Sequence, residues 1–273
     1  MNDARDGSRA VAWAHLRDRY RRAVPAAVRD PIGRARRRLH DRALRLISRR
    51  PLPPRAWLDA VQLTPWAMEY LRVGRRSAAS VLRHLEPADA PIRAVLDFGC
   101  GLGRTLRHLE RPAADRGWQL AGCDVDRRSV DWCARHLPFV AVQANAPAPP
   151  LPYDDGVFDA VYAISVFTHF DRADQRRWAD EMARVLRPGG VLIASTMGPP
   201  ALAALPSVGT ADAHRQLEGD GFHFHAAGAA FNQRGAFHTR AGVNATFARG
   251  FALEAWEDRG LDGFQDLSRL RRR

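Results

Sequence analysis

The chain has 273 residues, 46% of them hydrophobic and 26% charged, and a formal net charge of +12. That length holds one full domain with an appendage, and no apolar run reaches the roughly 18–20 residues that cross a bilayer. Three cysteines, Cys100, Cys123 and Cys133, lack C-x-x-C spacing, which argues against a disulfide framework or a zinc site and for a reducing compartment. The opening "MNDARDGSRA" has no apolar signal core, so the expected location is the cytoplasm. All 42 basic residues are arginine, which reads as a bias of the whole coding sequence. A positive field favours acidic partners. The aromatic residues are not interleaved with the basic clusters, however, and this disfavours nucleic acid.

Residues 1–55 form a region of their own. "IGRARRRLHDRALRLISRR" places Leu39, Ala43, Leu46 and Ile47 at helical spacing among arginines, and Pro25, Pro31 and "RRPLPPR" punctuate the segment. Two readings stand: short solvated helices packed loosely on the main domain, or a basic amphipathic anchor for an acidic membrane surface or a protein.

From residue 57 to residue 85 a helical pattern dominates, with Val81, Leu82 and Leu85 as its buried stripe. Strands and helices then alternate. "AVLDFG" reads as strand and "GRTLRHLE" as a helix stopped before Pro112. "WQLAGCD" is strand, and "DRRSVDWCARHL" is helix with Asp126 as N-cap. "FVAVQAN", "FDAVYAIS" and "GGVLIAST" are strands, and "DRADQRRWADEMARVL" is a helix burying Trp178, Met182, Val185 and Leu186. Such alternation predicts a parallel sheet with helices on both faces. Residues 198–245 show no clear period. "FALEAWE" and "FQDLSRLR" read as a terminal antiparallel hairpin. The expected fold is α/β, a Rossmann-like doubly wound sheet, mostly parallel. The expected division is an arm over 1–55 and a domain over 56–273 with a substrate-covering insertion at about 198–245.

"VLDFGCGLGRTL" carries the chemistry. A strand meets Asp97, then Gly99, Gly101 and Gly103 in a G-x-G-x-G bend, then a helical pattern. Such a bend lies at the carboxyl end of a strand, where parallel sheets bind ligands. It is not the G-x-G-x-x-G of dinucleotide sites, and a Walker-type loop is excluded because no lysine follows. Asp124 ends the second strand about 20 residues on, where a carboxylate can accept from ribose hydroxyls. Asn145 and Ala146 end the third.

Together, "VLDFGCGLG", "AGCDVD", "QANAPAPPLPYDDGVFDAVYAISVFTHF" and "ARVLRPGGVLIAST" resemble the class I methyltransferases that use S-adenosylmethionine, over residues 92–197. "LRVGRR", "SVFTHF" and "GFQDL" are similar to bacterial members without an assigned substrate. The resemblance implies S-adenosylmethionine as cofactor. It assigns Asp97, Gly99, Cys100, Gly101, Gly103, Asp124, Val125, Asn145, Ala146 and Ser165 to its site. Within that set Asp97 orders the loop, directly or through water, Asp124 takes the ribose, and Asn145 with Ala146 takes the adenine. The family more often carries Asp where Asn145 stands; an amide oxygen still accepts from the adenine amino group.

Methyl transfer needs alignment of a nucleophile, and a base when that nucleophile is a hydroxyl. His169, after the fourth strand, is the first candidate and His238 the second. No metal site is expected: the "FHFH" pair, His223 and His225, has no third ligand cluster. Neither "DPPY" nor "NPPY" follows the fourth strand, and no Pro-Cys pair appears in "APAPPLP". The expected reaction is therefore O-methylation of a small molecule or glycan, with N-methylation open. The alternatives are a tRNA, other nucleic-acid or protein methyltransferase, a nicotinamide oxidoreductase, and a non-catalytic scaffold that keeps the fold.

Overall fold

A computed structural model describes residues 31–62, 65–86, 90–227 and 234–273. The first 30 residues of the predicted basic arm lie outside the described residues. Along the chain run α1 (Pro31–Ile47), α2 (Arg55–Gln62), α3 (Ala67–Leu85), β1 (Ala94–Phe98), α4 (Glu110–Arg116), β2 (Gln119–Asp124), α5 (Arg127–His136), β3 (Val140–Ala144) and β4 (Phe158–Ala163). Then come α6 (Arg172–Val185), β5 (Leu186–Thr196), α7 (Pro199–Ala203), α8 (Ala211–Asp220), β6 (Phe222–Ala226), β7 (Arg234–His238), α9 (Arg240–Phe247), β8 (Phe251–Leu261) and β9 (Gln265–Arg272).

The main sheet has the order β3-β2-β1-β4-β5-β9-β8. The first five of these strands pair in parallel, and β9 runs antiparallel to both β5 and β8. The strand order reverses between β1 and β4, which is where a doubly wound sheet opens a crevice at its carboxyl edge. Central strands β1 and β4 are buried on both faces, as a sheet covered by helices on each side requires. On one face Phe98, Val161 and Leu192 meet Trp178, Met182 and Phe247 of α6 and α9. On the other, Val95, Tyr162 and Ile193 meet Val81 and Leu85 of α3 and Cys133 of α5.

The predicted N-cap holds: the Asp126 side chain accepts from the Arg128 N–H and the Ser129 hydroxyl. Pro112 does not stop its helix. A 3-10 turn over Leu106–His108 comes first, and α4 then runs through Pro112. Proline fits there because an amide in the first helical turn has no acceptor one turn back. The patternless segment also contains regular structure. α7, α8 and the β6–β7 hairpin occupy it, with Phe222 opposite His238 and Phe224 opposite Ala236. The alternation of "FHFH" is blurred to the eye because an imidazole is itself half apolar.

α1 and α2 are fixed to the body through a buried carboxylate. Asp41, 2% exposed, accepts from the Ala67 N–H at 2.8 Å, Arg55 at 2.8 Å and Arg45 at 2.9 Å. Burial alone would raise its pKa; these donors outweigh that and hold it below the usual value. Arg50 pairs with Glu110 of α4. Among the described residues no helix is long and apolar enough to cross a membrane.

Candidate active site

The glycine bend begins where β1 ends. Gly99, Gly101 and Gly103 have φ of 77°, 50° and 72°, conformations that side-chain-bearing residues rarely adopt. A Cβ on Gly99 would overlap Val166, and one on Gly103 would meet Leu137 and the Cys133 sulfur. At these two positions the close neighbour is protein, so glycine serves turn and packing together. The N–H groups of Gly99 and Cys100 both donate to the Cys123 carbonyl at 2.9 Å, tying the bend to the end of β2.

The bend is braced from two sides. Asp124 Oδ2 accepts from the Gly101 N–H at 2.7 Å, and Oδ1 accepts from the Asp126 N–H at 2.8 Å. From the other side, Tyr70 of α3 donates its hydroxyl to the Leu102 carbonyl at 2.8 Å. A Cβ on Gly74 of α3 would overlap the Arg104 carbonyl oxygen, so helix and bend touch backbone to backbone. Tyr70 and Gly74 are absent from the sequence-derived site, although Gly74 stands inside the quoted "LRVGRR".

Asp97, expected to order the loop, lies near the end of β1 in the sheet interior. It is 3% exposed and lies in register with Tyr162 of β4. Burial pushes its carboxyl up to about 8, with Asp124 adding to the rise and Tyr162 and Arg104 opposing it. The side chain that holds a glycine N–H is that of Asp124. Burial also raises the Asp124 pKa, against the backbone donors of Asp126 and Gly101. Cys100, Cys123 and Cys133 are buried free thiols. The contact with Cys133 and burial push Cys100 up, and burial pushes Cys123 up, so they serve as packing groups here.

Val125 and Asn145 lie beside Asp124 at the same edge of the sheet. Val125 is 55% exposed, an aliphatic surface with no protein cover. The Asn145 N–H donates to the Asp124 carbonyl at 3.1 Å, and its side-chain NH2 donates to the Ala146 carbonyl at 2.7 Å. That leaves Asn145 Oδ1 buried with no hydrogen-bond partner. A buried acceptor without a donor is costly. The exocyclic amino group of adenine is a donor of the right kind.

Across the switch point, Ser165 follows β4 with φ of 61°, a strained value of the sort found at ligand sites. Its N–H donates to Ser195 Oγ at 2.7 Å, and Gln265 Nε2 donates to its hydroxyl at 3.0 Å. Ser195 donates in turn to Gln265 Oε1 at 2.7 Å. Ser195 and Gln265 were missed in the sequence; the quoted "GFQDL" contains Gln265.

The two candidate bases separate. His169 ends a 3-10 turn directly after Ser165 and is partly exposed; its Nδ1 lies 3.1 Å from the Arg234 carbonyl. A carbonyl only accepts, so Nδ1 carries the proton and Nε2 is the basic nitrogen. His238 has no exposure. Its Nε2 meets Gln175 Oε1 at 2.8 Å, and burial lowers its pKa to about 3, with Arg172 adding to the effect. Gln175 also donates to the carbonyls of Phe167 and Phe170, so His238 supports the turn that carries His169. Among the described residues no group of three His, Cys, Asp or Glu can hold a metal ion. His223 instead meets Gln216 at 2.7 Å.

Residues 96–194 match the family described as "Methyltransferase domain". Over those residues the chain is similar to methyltransferases. It is 29% identical over 173 residues to methyltransferase GfsG of Streptomyces halstedii, covering 59% of this chain and 58% of that protein. It is 35% identical over 126 residues to O-methyltransferase resE of Aspergillus sclerotiorum, covering 44% and 42%. The chain spans about half the length of these curated relatives. The fold is shared with the glycopeptide N-methyltransferase MtfA complexed with S-adenosylmethionine, at a TM-score of 0.52 and 16% identity, over 72% of this chain and 93% of that one. The orphaned Asn145 oxygen, the exposed Val125 side chain and the Asp124 carboxylate are groups that fit S-adenosylmethionine, which that neighbour binds.

Proposed function

We propose that this protein transfers a methyl group from S-adenosylmethionine to a hydroxyl of a small molecule or glycan. The observation that carries the reading is the His169 ring, fixed by the Arg234 carbonyl with its basic nitrogen opposite that bond. When bound, S-adenosylmethionine supplies a methyl group already activated by the sulfonium charge. Asp124 would receive the ribose hydroxyls, Asn145 and Ala146 the adenine edge, and Val125 its face. Ser165, fixed by Ser195 and Gln265, would orient the acceptor. His169 Nε2 would take the proton from the acceptor hydroxyl as it is methylated, leaving S-adenosylhomocysteine as the other product. The proton then passes to solvent.

The O-methyltransferase resE, similar over 126 residues, supports a hydroxyl acceptor. The test is to incubate the full chain with methyl-labelled cofactor and matched phenol, sugar and amine acceptors. Label in an ether or ester product supports the proposal. Label confined to amines, or S-adenosylhomocysteine binding without any turnover, overturns it.

A further inference from the structure

Among the described residues the outward face of α1 has no protein cover, and its composition specifies a partner. Leu39, Leu46 and Ile47 are 66%, 86% and 77% exposed. With the exposed Ala43, they fall within an arc of about 100° at helical spacing. Three of the large hydrophobic side chains exposed among the described residues therefore sit on this one helix; Met68, Val125 and Val157 are scattered elsewhere. The exposed Arg36 lies on the arc one turn before Leu39, Arg38 and Arg42 flank it, and Arg49 follows just beyond the helix. The single carboxylate of α1, Asp41, points the other way into its cluster with Arg45, Arg55 and the Ala67 N–H. That buried anchor fixes the rotation of the helix, so the aliphatic arc must face outward.

We infer that α1 is an interfacial helix that docks the protein on an anionic lipid surface. Its aliphatic arc enters the boundary between headgroups and acyl chains, while the arginines engage the lipid phosphates and carboxylates. A nucleic acid would use the arginines but would leave three large aliphatic side chains in water. The inference is independent of which acceptor the enzyme methylates.

The experiment is co-sedimentation of the full chain with vesicles of phosphatidylcholine alone or mixed with phosphatidylserine, at low and high salt. Binding to the mixed vesicles, lost on phosphatidylcholine and weakened by salt, is expected. Leu39→Gln with Leu46→Gln and Ile47→Gln should weaken it at least about tenfold, since several buried methylenes are forfeited. Arg36→Gln with Arg38→Gln and Arg42→Gln should do likewise. All six positions are exposed, and an unchanged thermal melt checks that the variants fold. Absence of binding to mixed vesicles overturns the inference. So does binding unaffected by the aliphatic substitutions, displacement by an RNA oligonucleotide in place of that sensitivity, or burial of the arc in a stable dimer.

Discussion

The Asp124 carboxylate accepts the Gly101 N–H at 2.7 Å, so the group assigned to the ribose also holds the glycine bend in shape. Its second oxygen is bonded to the Asp126 N–H, yet each oxygen keeps a further lone pair for a ligand. Asp124→Ala should weaken S-adenosylhomocysteine binding by about 1.5–3 kcal/mol, the scale for losing a charged hydrogen-bond partner. Asp124→Asn, which keeps one acceptor oxygen, should lose less. Calorimetric titration reads both, and unchanged affinity in the alanine variant would remove the ribose assignment.

Gly74 allows α3 to lie against the bend. Helix propensity alone favours alanine over glycine by about 1 kcal/mol. Here an added Cβ overlaps the Arg104 carbonyl oxygen, and neither backbone can yield without moving the Leu102 carbonyl that Tyr70 holds. Gly74→Ala should therefore lower both the melting temperature and the cofactor affinity. A more stable variant with full affinity would show that the contact is slack.

These two cases show what the sequence could and could not disclose. The parallel strands were legible because central strands are apolar on both faces and glycine, aspartate and proline punctuate them. Asp124 and Asn145 were legible because each ends its strand, and a strand end fixes position without tertiary knowledge. Tyr70 and Gly74 were not, since a hydroxyl reaching a carbonyl 32 residues on leaves no local pattern. Ser195 and Gln265 are 70 residues apart and meet only because β9 inserts beside β5. His169 ranks above His238 in the sequence only by its place after the fourth strand; the burial of His238 comes from tertiary packing, which the sequence does not show.

His238 should make the fold sensitive to acid. Its pKa is lowered from 6.5 to about 3 by burial, so between these values the unfolded chain binds a proton that the folded chain excludes. This contribution to stability is complete above about pH 6.5 and falls as the pH drops toward 3. His238→Gln should flatten the loss of melting temperature on acidification relative to wild type. Gln175→Ala should cost about 2–4 kcal/mol at neutral pH, because two buried carbonyls and an imidazole N–H lose their partner. Parallel acid slopes in wild type and His238→Gln would contradict the assignment.

Asp97 acts with the opposite sign. Its pKa rises from 3.8 to about 8 through burial, so in that window the folded chain keeps a proton that the unfolded chain releases. Stability from this group is greatest below about pH 4 and declines as the pH rises through 8. Asp97→Asn mimics the protonated carboxyl beside Tyr162 and should reduce the fall in melting temperature between pH 5 and about pH 9. If the variant's melting temperature declines as steeply as wild type, the carboxyl is ionised throughout the range.

The role of His169 is decided by a pair of substitutions. A positioned general base contributes about 10²–10⁴-fold to rate, and the Nδ1 bond to the Arg234 carbonyl contributes to holding the 3-10 turn against β7. His169→Ala removes both functions. His169→Gln keeps a side-chain N–H donor for the carbonyl but offers no basic nitrogen. If His169 is the base, both variants should lose kcat by that factor, His169→Gln should melt near wild type, and S-adenosylhomocysteine affinity should stay within about twofold in each. If the residue only supports the turn, His169→Gln should recover most of the rate that His169→Ala loses. A steady-state assay on the best hydroxyl acceptor, with the two melts measured alongside, separates these outcomes.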